Sequence, residues 1–401
     1  MATPPKTFYL FNQMAGPLFR DLAEALAAAH DGRTILLTGH PDTVSLGERI
    51  GDLEIKPMPG YDRTSKLRRL SSWLHYTFRS IPAFWAMRRG DRALIVSNPP
   101  LIAPVALIAR LFGRRYHVLV YDVFPDTLIA MGHLSERGFL AQLWRWLNRQ
   151  FYNRSEGVYT LGTRMGQRLS QQFDPKRTSL GSIEVVPVWA DTDKIKPMSR
   201  ENNCFARELG ITDQKVVLYS GNMGFSHDLD TILKAAELLA NHSDIMFVLI
   251  GEGAKWQDAH DFMQSRNLPN LKVLPFQPES VLPMSLAMAD VALVVLDKGA
   301  EGLMIPSKTY YYMAAGSAVF AICENESELK DTILAADCGD CLAPGNPEHL
   351  AREIREIFSK PEILKRQKEN ARSYCVAHHD REKVTSVFVE SLLCNVDGLD
   401  G

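Results

Sequence analysis

A glycine-rich turn between an apolar strand and a helical pattern is the first place in this sequence that suits an anionic ligand. The apolar run 215–219 is followed by Ser220-Gly-Asn-Met-Gly224, and helical spacing of apolar residues begins at Leu229. Glycines let backbone amides approach a ligand closely, and the start of a helix carries a partial positive charge. We therefore expect Gly221, Asn222 and Gly224 to lie beside a phosphate.

The same turn also has an ordinary structural interpretation. Glycines are common in tight turns, and Ser226 or Asp228 could serve only as the cap of the following helix. By itself, the turn leaves both interpretations open.

A lysine stands at the start of a second expected helix, within the segment 301–316. Pro306 and Ser307 are predicted to open this helix, which places Lys308 in its first turn. A cation is disfavoured there by the helix dipole, so a bound anion would explain its position. The alternative is that Lys308 extends into solvent.

Short apolar runs alternate with helical patterns along the whole chain, which predicts an α/β protein with parallel sheets. A further Gly251-Glu-Gly253 turn follows the most apolar run, and ligands of parallel sheets bind beyond the carboxyl ends of the strands. Helices are expected at 18–30 and 139–151. The expected strands are 8–11, 34–38, 53–57, 93–96, 117–123, 158–161, 185–188, 215–219, 245–250, 271–274, 291–296 and 318–322.

The length of 401 residues exceeds what one compact core usually holds, so two domains are expected. The polar stretch 194–203 is the most linker-like segment. We predict an N-terminal domain over 1–193 and a C-terminal domain over 194–380, with a last helix at about 381–401 that returns to the first domain.

The composition narrows the compartment and the partners. Lys and Arg number 45 against 47 Asp and Glu, which does not suggest a nucleic-acid binder, and no signal peptide or long apolar span is recognisable. The six cysteines are scattered, and the Cys338 to Cys341 pair lacks the second pair that a metal site needs. We expect a cytoplasmic protein with free thiols and no metal.

The motifs named above, taken in order, resemble those of family four glycosyltransferases. The likeness is greatest to the subgroup that assembles bacterial surface polysaccharides of the colanic acid and O-antigen type. It is carried by 219–224, 251–253, Leu274-Pro-Phe276, Ala289-Asp290 and 306–316, with fainter matches around Gly16, 121–126 and 186–191.

The resemblance implies a GT-B fold, with two Rossmann-like domains facing each other across a cleft. It implies a retaining transfer from a nucleotide sugar, expected to be UDP-linked, to a hydroxyl of a glycan or lipid-linked acceptor, without an essential metal or other cofactor. The implied donor-site residues are Gly16, Gly221, Asn222, Gly224, Gly251, Glu252, Gly253, Phe276, Ser307, Lys308 and Tyr311.

The resemblance also suggests catalytic roles. Glu301 would face the donor sugar and Lys308 would hold the diphosphate, while Asp122 or Asp126 would position or deprotonate the acceptor. Tyr311 stands near the place where the family has a second, ribose-binding glutamate, so the ribose contact must come from elsewhere. A sugar-nucleotide epimerase of the same fold and a non-catalytic partner subunit are the alternatives.

A basic and aromatic stretch over 63–89 indicates an interfacial helix on anionic lipid. One helical face is expected to carry Leu67, Leu70, Trp73, Leu74, Phe78 and Ile81. Peripheral contact with the inner face of a membrane would suit a lipid-linked acceptor. An ordinary packed helix with a solvated basic side fits the stretch equally well.

Overall fold

The computed structural model describes residues 7–62, 64–178, 181–224 and 227–397. The chain folds into two compact units: the first contains residues up to Pro187, Gly302–Met304 and the chain from Glu382, and the second contains Val188–Glu301 and Ile305–Arg381. Each unit is built on one largely or wholly parallel sheet, which confirms the expected α/β class.

The first unit has an eight-stranded sheet in the order β3-β4-β2-β1-β5-β6-β7-β8, parallel throughout except for the short β3–β4 pair. Its strands are β1 (Thr7–Phe11), β2 (Arg33–Thr38), β3 (Arg49–Ile50), β4 (Leu53–Pro57), β5 (Arg92–Val96), β6 (Arg115–Val120), β7 (Val158–Thr160) and β8 (Ile183–Val185). Its helices are α1 (Pro17–Ala29), α2 (Pro41–Val44), α3 (Lys66–Ala86), α4 (Ile102–Leu111), α5 (Asp126–Ala130), α6 (Phe139–Asn153) and α7 (Thr163–Ser170).

The second unit has a six-stranded parallel sheet in the order β11-β10-β9-β12-β13-β14. Its strands are β9 (Lys215–Asn222), β10 (Ile245–Glu252), β11 (Leu271–Leu274), β12 (Val291–Val295), β13 (Ala318–Ile322) and β14 (Gly339–Leu342). Its helices are α8 (Cys204–Glu208), α9 (Leu229–Leu238), α10 (Trp256–Arg266), α11 (Leu282–Ala287), α12 (Lys308–Ala314), α13 (Glu328–Ala336), α14 (Pro347–Phe358) and α15 (Pro361–His378). Short 3-10 turns occupy Pro175–Arg177, Arg200–Asn202 and Glu279–Val281.

The last helix, α16 (Arg381–Asp397), contributes side chains to the first unit. The Phe388 ring lies 4.7 Å from that of Tyr159, and Ser391 Oγ donates a hydrogen bond of 2.6 Å to Glu184. Residues 398–401 of the expected last helix lie outside the described residues. Within the described ranges, no helix is long and apolar enough to cross a membrane.

Four expected strands end too late: those at 158–161 and 291–296 by one residue, and two others by three residues. The strand expected at 117–123 ends at Val120, because the amides of Tyr121 and Asp122 donate to Ser97 Oγ and leave the sheet. The strand expected at 185–188 is Ile183–Val185, since Pro187 has no amide to continue the ladder. The short strands β3 and β14 were not expected from the sequence.

The paired strands β9 and β10 approach each other closely at their carboxyl ends. Gly251 stands opposite Gly221, and a Cβ on Gly251 would lie 1.9 Å from the Gly221 carbonyl oxygen. A side chain there would push the two strands apart. Gly251 is therefore required by backbone packing, whether or not a ligand is bound.

Replacing Gly251 with alanine is expected to lower the free energy of unfolding of the second unit by about 1 to 3 kcal/mol, as overpacking does in other cores. Thermal unfolding without ligand measures the effect. Gly166→Ala is the control, because Gly166 lies within α7, where alanine is favoured, and its Cβ would be 3.4 Å from the nearest atom, Thr160 Oγ1. Equal melting temperatures for Gly251→Ala and the wild type would contradict the packing argument.

Candidate functional site

The candidate site lies where the strand order of the second sheet reverses. Strands β9 and β12 are neighbours in the sheet. The chain continues from β9 to β10 on one side of this pair and from β12 to β13 on the other side. Ligands of open α/β sheets bind beyond the carboxyl ends of strands at such a switch point. Strand β9 was expected to end at residue 219 but continues to Asn222, so Gly221 belongs to its carboxyl end and Gly224 to the turn beyond it, while the segment 297–308 follows β12.

Lys308 is the central side chain of this site. Its Nζ is buried, has no hydrogen-bonding partner among the described residues, and stands 4.1 Å from the centroid of the Tyr219 ring. Burial lowers the pKa of Lys308 to about 8, and the nearby Asp297 carboxylate opposes that shift. The alternative that Lys308 extends into solvent is therefore wrong.

Three residues that the sequence analysis did not assign to the site surround this ammonium group. The Tyr219 hydroxyl donates to the Asn222 carbonyl at 2.8 Å and is 2.9 Å from His227 Nδ1. His227 Nε2 lies 4.0 Å from an oxygen of Asp297, which follows β12. Burial lowers the pKa of His227, which favours a neutral ring beside the lysine. The position of Asp297 at the end of an apolar strand was the available sequence signal.

The carboxyl end of β9 leaves room for Lys308. A Cβ on Gly221, whose φ is 140°, would lie 2.9 Å from Lys308 Nζ. Any other residue at this position would displace the ammonium group. Asn222 is exposed and Gly224 is half-buried. The expected phosphate-binding turn thus contacts the lysine that was expected to share its ligand.

The neighbouring turn and cap residues have structural partners. A Cβ on Gly253 would lie 2.6 Å from the Met223 carbonyl oxygen, and the Met223 amide donates to the Glu252 carbonyl at 2.7 Å. Asp228 caps α9 by accepting from the Thr231 amide, as the structural interpretation allowed. Ser226 lies outside the described residues.

Helix α12 is fixed to β9 by one of its three consecutive tyrosines. The Tyr312 hydroxyl accepts from the Ser220 amide at 2.6 Å and donates to the Ser220 carbonyl at 3.0 Å. Tyr311, at the place of the expected ribose-binding glutamate, is half-buried, and so is Ser307, which begins the helix.

Glu301 belongs to the same unit as Lys308 and has an unsatisfied acceptor. Its Oε1 is buried and lacks a hydrogen-bonding partner in the part of the chain that the structure describes. Glu252 is exposed, and Phe276, after β11, leaves 48% of its surface exposed. Glu252 and Phe276 are therefore accessible to a ligand. The buried Glu301 oxygen lacks a hydrogen-bond donor, which costs free energy unless a ligand supplies that donor.

Three expected site residues belong to the first unit. Gly16 precedes α1, and Asp122 is half-buried beyond the end of β6. Asp126 is buried, and its two carboxylate oxygens accept from Arg145 at 2.5 Å and from Gln172. These contacts favour a structural role for Asp126 over deprotonation of an acceptor, and they leave Asp122 as the remaining carboxylate of the pair.

The cysteines have no disulfide partners. All six are free thiols; Cys338 is buried and Cys341, on β14, is half-buried. Within the described residues, no three His, Cys, Asp or Glu side chains form a group that could hold a metal ion.

Two family models match the chain and together span most of it. The model described as glycosyl transferases group 1 matches residues 203–374, and the model described as glycosyl transferase 4-like domain matches residues 15–189. The first match contains β9 to β13 and therefore the whole of the Lys308 site.

Two curated proteins are similar to this chain over most of their length. WbjE of Pseudomonas aeruginosa, named as a glycosyltransferase, is 29% identical over 302 residues, which cover 74% of each chain. WcaI of Escherichia coli (strain K12), named for glycosyl transfer in colanic acid biosynthesis, is 25% identical over 336 residues, or 82% of this chain and 80% of that one.

Solved structures share the fold at low identity. The sucrose-phosphate synthase of Thermosynechococcus elongatus has a TM-score of 0.75 at 16% identity and covers 96% of this chain and 98% of that one. Anabaena HepE, solved in complex with UDP-glucose, has a TM-score of 0.72 at 15% identity and covers 96% and 99%.

Replacing Lys308 with methionine is expected to raise the stability of the ligand-free protein by about 1 to 3 kcal/mol at pH 7, because a buried ammonium group without hydrogen bonds is removed. The pKa of Lys308 is lower in the folded than in the unfolded protein. Protonated lysine therefore destabilises the fold below about pH 8, and this cost disappears as the pH rises from about 8 toward the ordinary value of 10.5.

The stability gained by Lys308→Met should therefore shrink above pH 8, which denaturant unfolding at pH 7 and pH 9.5 measures. Lys298→Met is the control, because Lys298 is 84% exposed and its removal should change little at either pH. A Lys308→Met protein less stable than the wild type at pH 7 would show that the ammonium group stabilises the fold.

Proposed function

Because the chain belongs to the group 1 glycosyltransferases, with a glycosyltransferase 4-like N-terminal region and the GT-B fold, we propose that it is a retaining transferase that uses a UDP-linked sugar. Its acceptor would be a hydroxyl of a lipid-linked or polysaccharide precursor. The observation that carries this proposal is the buried ammonium group of Lys308, which has no hydrogen-bonding partner among the described residues.

The diphosphate of the donor supplies the partner that Lys308 lacks. Negative charge grows on the leaving nucleoside diphosphate during transfer, and a cation in a water-poor site stabilises it more strongly than a cation in water. The Tyr219 ring beneath the ammonium group and the space left at Gly221 hold the cation in place. In this proposal, Lys308 neutralises the charge of the leaving diphosphate, as a divalent ion does in other transferases, so no metal is required.

The base and the ribose would lie beside the turns after β10 and β11. The exposed Phe276 ring offers a face for stacking, and the backbone at 251–253 offers polar groups at the same sheet edge. The choice of UDP is supported by the likeness in fold to HepE, whose structure holds UDP-glucose. Tyr311 would contribute to the donor site from α12.

Glu301 would face the donor sugar. Its buried Oε1 can accept a hydrogen bond from a sugar hydroxyl, and its negative charge would stabilise the positive charge that develops at the anomeric carbon. Glu301 and Lys308 thus take complementary roles, one at the sugar and the other at the leaving group.

The acceptor is proposed from the relatives and from the first unit. WcaI is named for colanic acid biosynthesis, which supports a surface-polysaccharide precursor. Asp122, at the carboxyl end of β6, would accept the proton of the attacking hydroxyl. A lipid-linked precursor would be met at the inner face of the membrane. The family assignment favours transfer over the epimerase and over a non-catalytic subunit.

The test is UDP release and sugar release from common UDP-sugars, with the released sugar followed by proton NMR. Retention predicts that an α-linked donor gives the α-anomer first. Glu301→Gln is expected to lower kcat at least about 100-fold with a smaller change in KM, because its charge acts mainly in the transition state.

Glu324→Gln is the matched control, since Glu324 is 43% exposed and paired with Lys298 at the surface; its kcat should match that of the wild type. Initial release of the β-anomer would refute retention. Full activity of Glu301→Gln would refute its assignment to the donor sugar.

A further inference from the structure

Helix α3 packs through one face and leaves a row of large apolar side chains in water. Its buried face includes Trp73, Tyr76, Ser80 and Phe84, so Trp73 does not belong to the outward row as the sequence suggested. The outward side chains are Leu67 (81% exposed), Leu70 (45%), Leu74 (41%), Phe78 (66%) and Trp85 (46%). Arg63 and the side chain of Lys66 lie outside the described residues.

Two other helices repeat this unusual arrangement. At the end of α4, Ile108, Leu111 and Phe112 are 51%, 78% and 61% exposed. On α6, whose buried face includes Ala141, Asn148 and Phe151, the exposed side chains are Phe139 (82%), Leu140 (56%), Leu143 (39%) and Trp146 (54%). Neither row was expected from the sequence.

The three helices lie side by side in one layer. They connect β4 to β5, β5 to β6 and β6 to β7, and all three connections move in the same direction along the sheet. Right-handed crossovers place such helices on the same side of a sheet. Helix α4 packs against both α3 and α6, and the Trp85 and Phe112 rings are 5.0 Å apart. Their outward rows therefore form one surface, here called the α3–α4–α6 face.

The charged side chains on these three helices are all basic. The sequences of α3, α4 and α6 contain no Asp or Glu, although the whole chain has slightly more acidic than basic residues. Exposed arginines stand on α3 (Arg68 and Arg79), directly after it (Arg88 and Arg89) and on α6 (Arg149). The three helices therefore combine exposed apolar side chains with a net positive charge, and acidic partners of their arginines, Asp62 at 3.8 Å from Arg68 and Asp126 and Glu136 at 2.5 and 3.9 Å from Arg145, stand outside them.

We propose that the α3–α4–α6 face docks on a bilayer that contains anionic lipid, with α6 and the end of α4 contributing as well as α3. Aromatic and aliphatic side chains at this density insert at the level of the lipid headgroups, while arginines bind the phosphates around them. A second copy of this chain fits poorly, because it would bring the same positive charge against itself. The inference deepens the membrane contact suggested for the acceptor, but vesicle binding itself does not depend on glycosyl transfer.

The test is cosedimentation of the full chain with vesicles of phosphatidylcholine alone and of phosphatidylcholine with about 30% phosphatidylglycerol. We expect the protein to bind the anionic vesicles, and to bind the neutral vesicles several-fold more weakly. Binding to the anionic vesicles should weaken as the salt concentration is raised. Combined Phe139→Ser and Trp146→Ser changes on α6 should lower binding at least fivefold, and so should Phe78→Ser on α3. Leu334→Ser, at a site 59% exposed on α13 of the other unit, is the control and should bind like the wild type.

Thermal stabilisation by UDP separates this inference from the proposed function, because the surface variants should keep it. Loss of vesicle binding with UDP stabilisation intact supports the docking face, even if no sugar is transferred. Absence of binding by the wild type would overturn the proposal. Light scattering that shows a dimer, abolished by the α6 changes, would instead make the face an interface between two copies.

Discussion

The proposed donor site depends on one cation that is held away from water. Moving an ammonium group from water into a protein interior is costly, and the lowered pKa of Lys308 expresses that cost. The Tyr219 ring and the Asp297 carboxylate offset part of this cost by attracting the positive charge, but no described residue accepts a hydrogen bond from the ammonium group. The arrangement favours an anionic ligand, because such a ligand would accept the hydrogen bonds that the Lys308 ammonium group lacks.

Much of the local structure can be understood as support for this cation. Gly221 leaves room for it, Tyr312 fixes α12 to the end of β9, and Gly251 allows β9 and β10 to close at their carboxyl ends. The first unit has an analogous feature in the α3–α4–α6 face, where apolar side chains are left in water. In both places the isolated protein leaves an interaction unmade, a hydrogen bond to a buried cation in one and the burial of apolar surface in the other, and a bound partner would supply it.

The sequence predicted those parts of the molecule that local patterns determine. Strands 53–57, 271–274 and 318–322 were located correctly, because each is a short segment between turn residues whose apolar side chains either alternate with charged ones, as in 53–57, or form a nearly continuous run. The end of β6 was placed too late, since the apolar pattern continues after the backbone has turned to Ser97. The position of Lys308 at the start of α12 was also predicted, but its burial was not.

The remaining features depend on contacts between distant segments. Tyr219 and His227 reach Lys308 only because β9 and β12 are neighbours in the sheet, which no local pattern encodes. Similarly, α3 is apolar over more than one face, so its periodicity could not decide whether Trp73 faces the core or the solvent. That choice is made by packing against the sheet and the neighbouring helices.

The most direct test of the account is the dissociation constant of UDP measured by calorimetry between pH 7 and pH 9. If the diphosphate binds the protonated form of Lys308, whose pKa is about 8 in the free protein, the wild-type dissociation constant should rise about tenfold across this range. Lys308→Met should bind UDP weakly and without this pH dependence. A wild-type dissociation constant that stays constant from pH 7 to pH 9 would contradict the assignment of the buried ammonium group to the donor diphosphate.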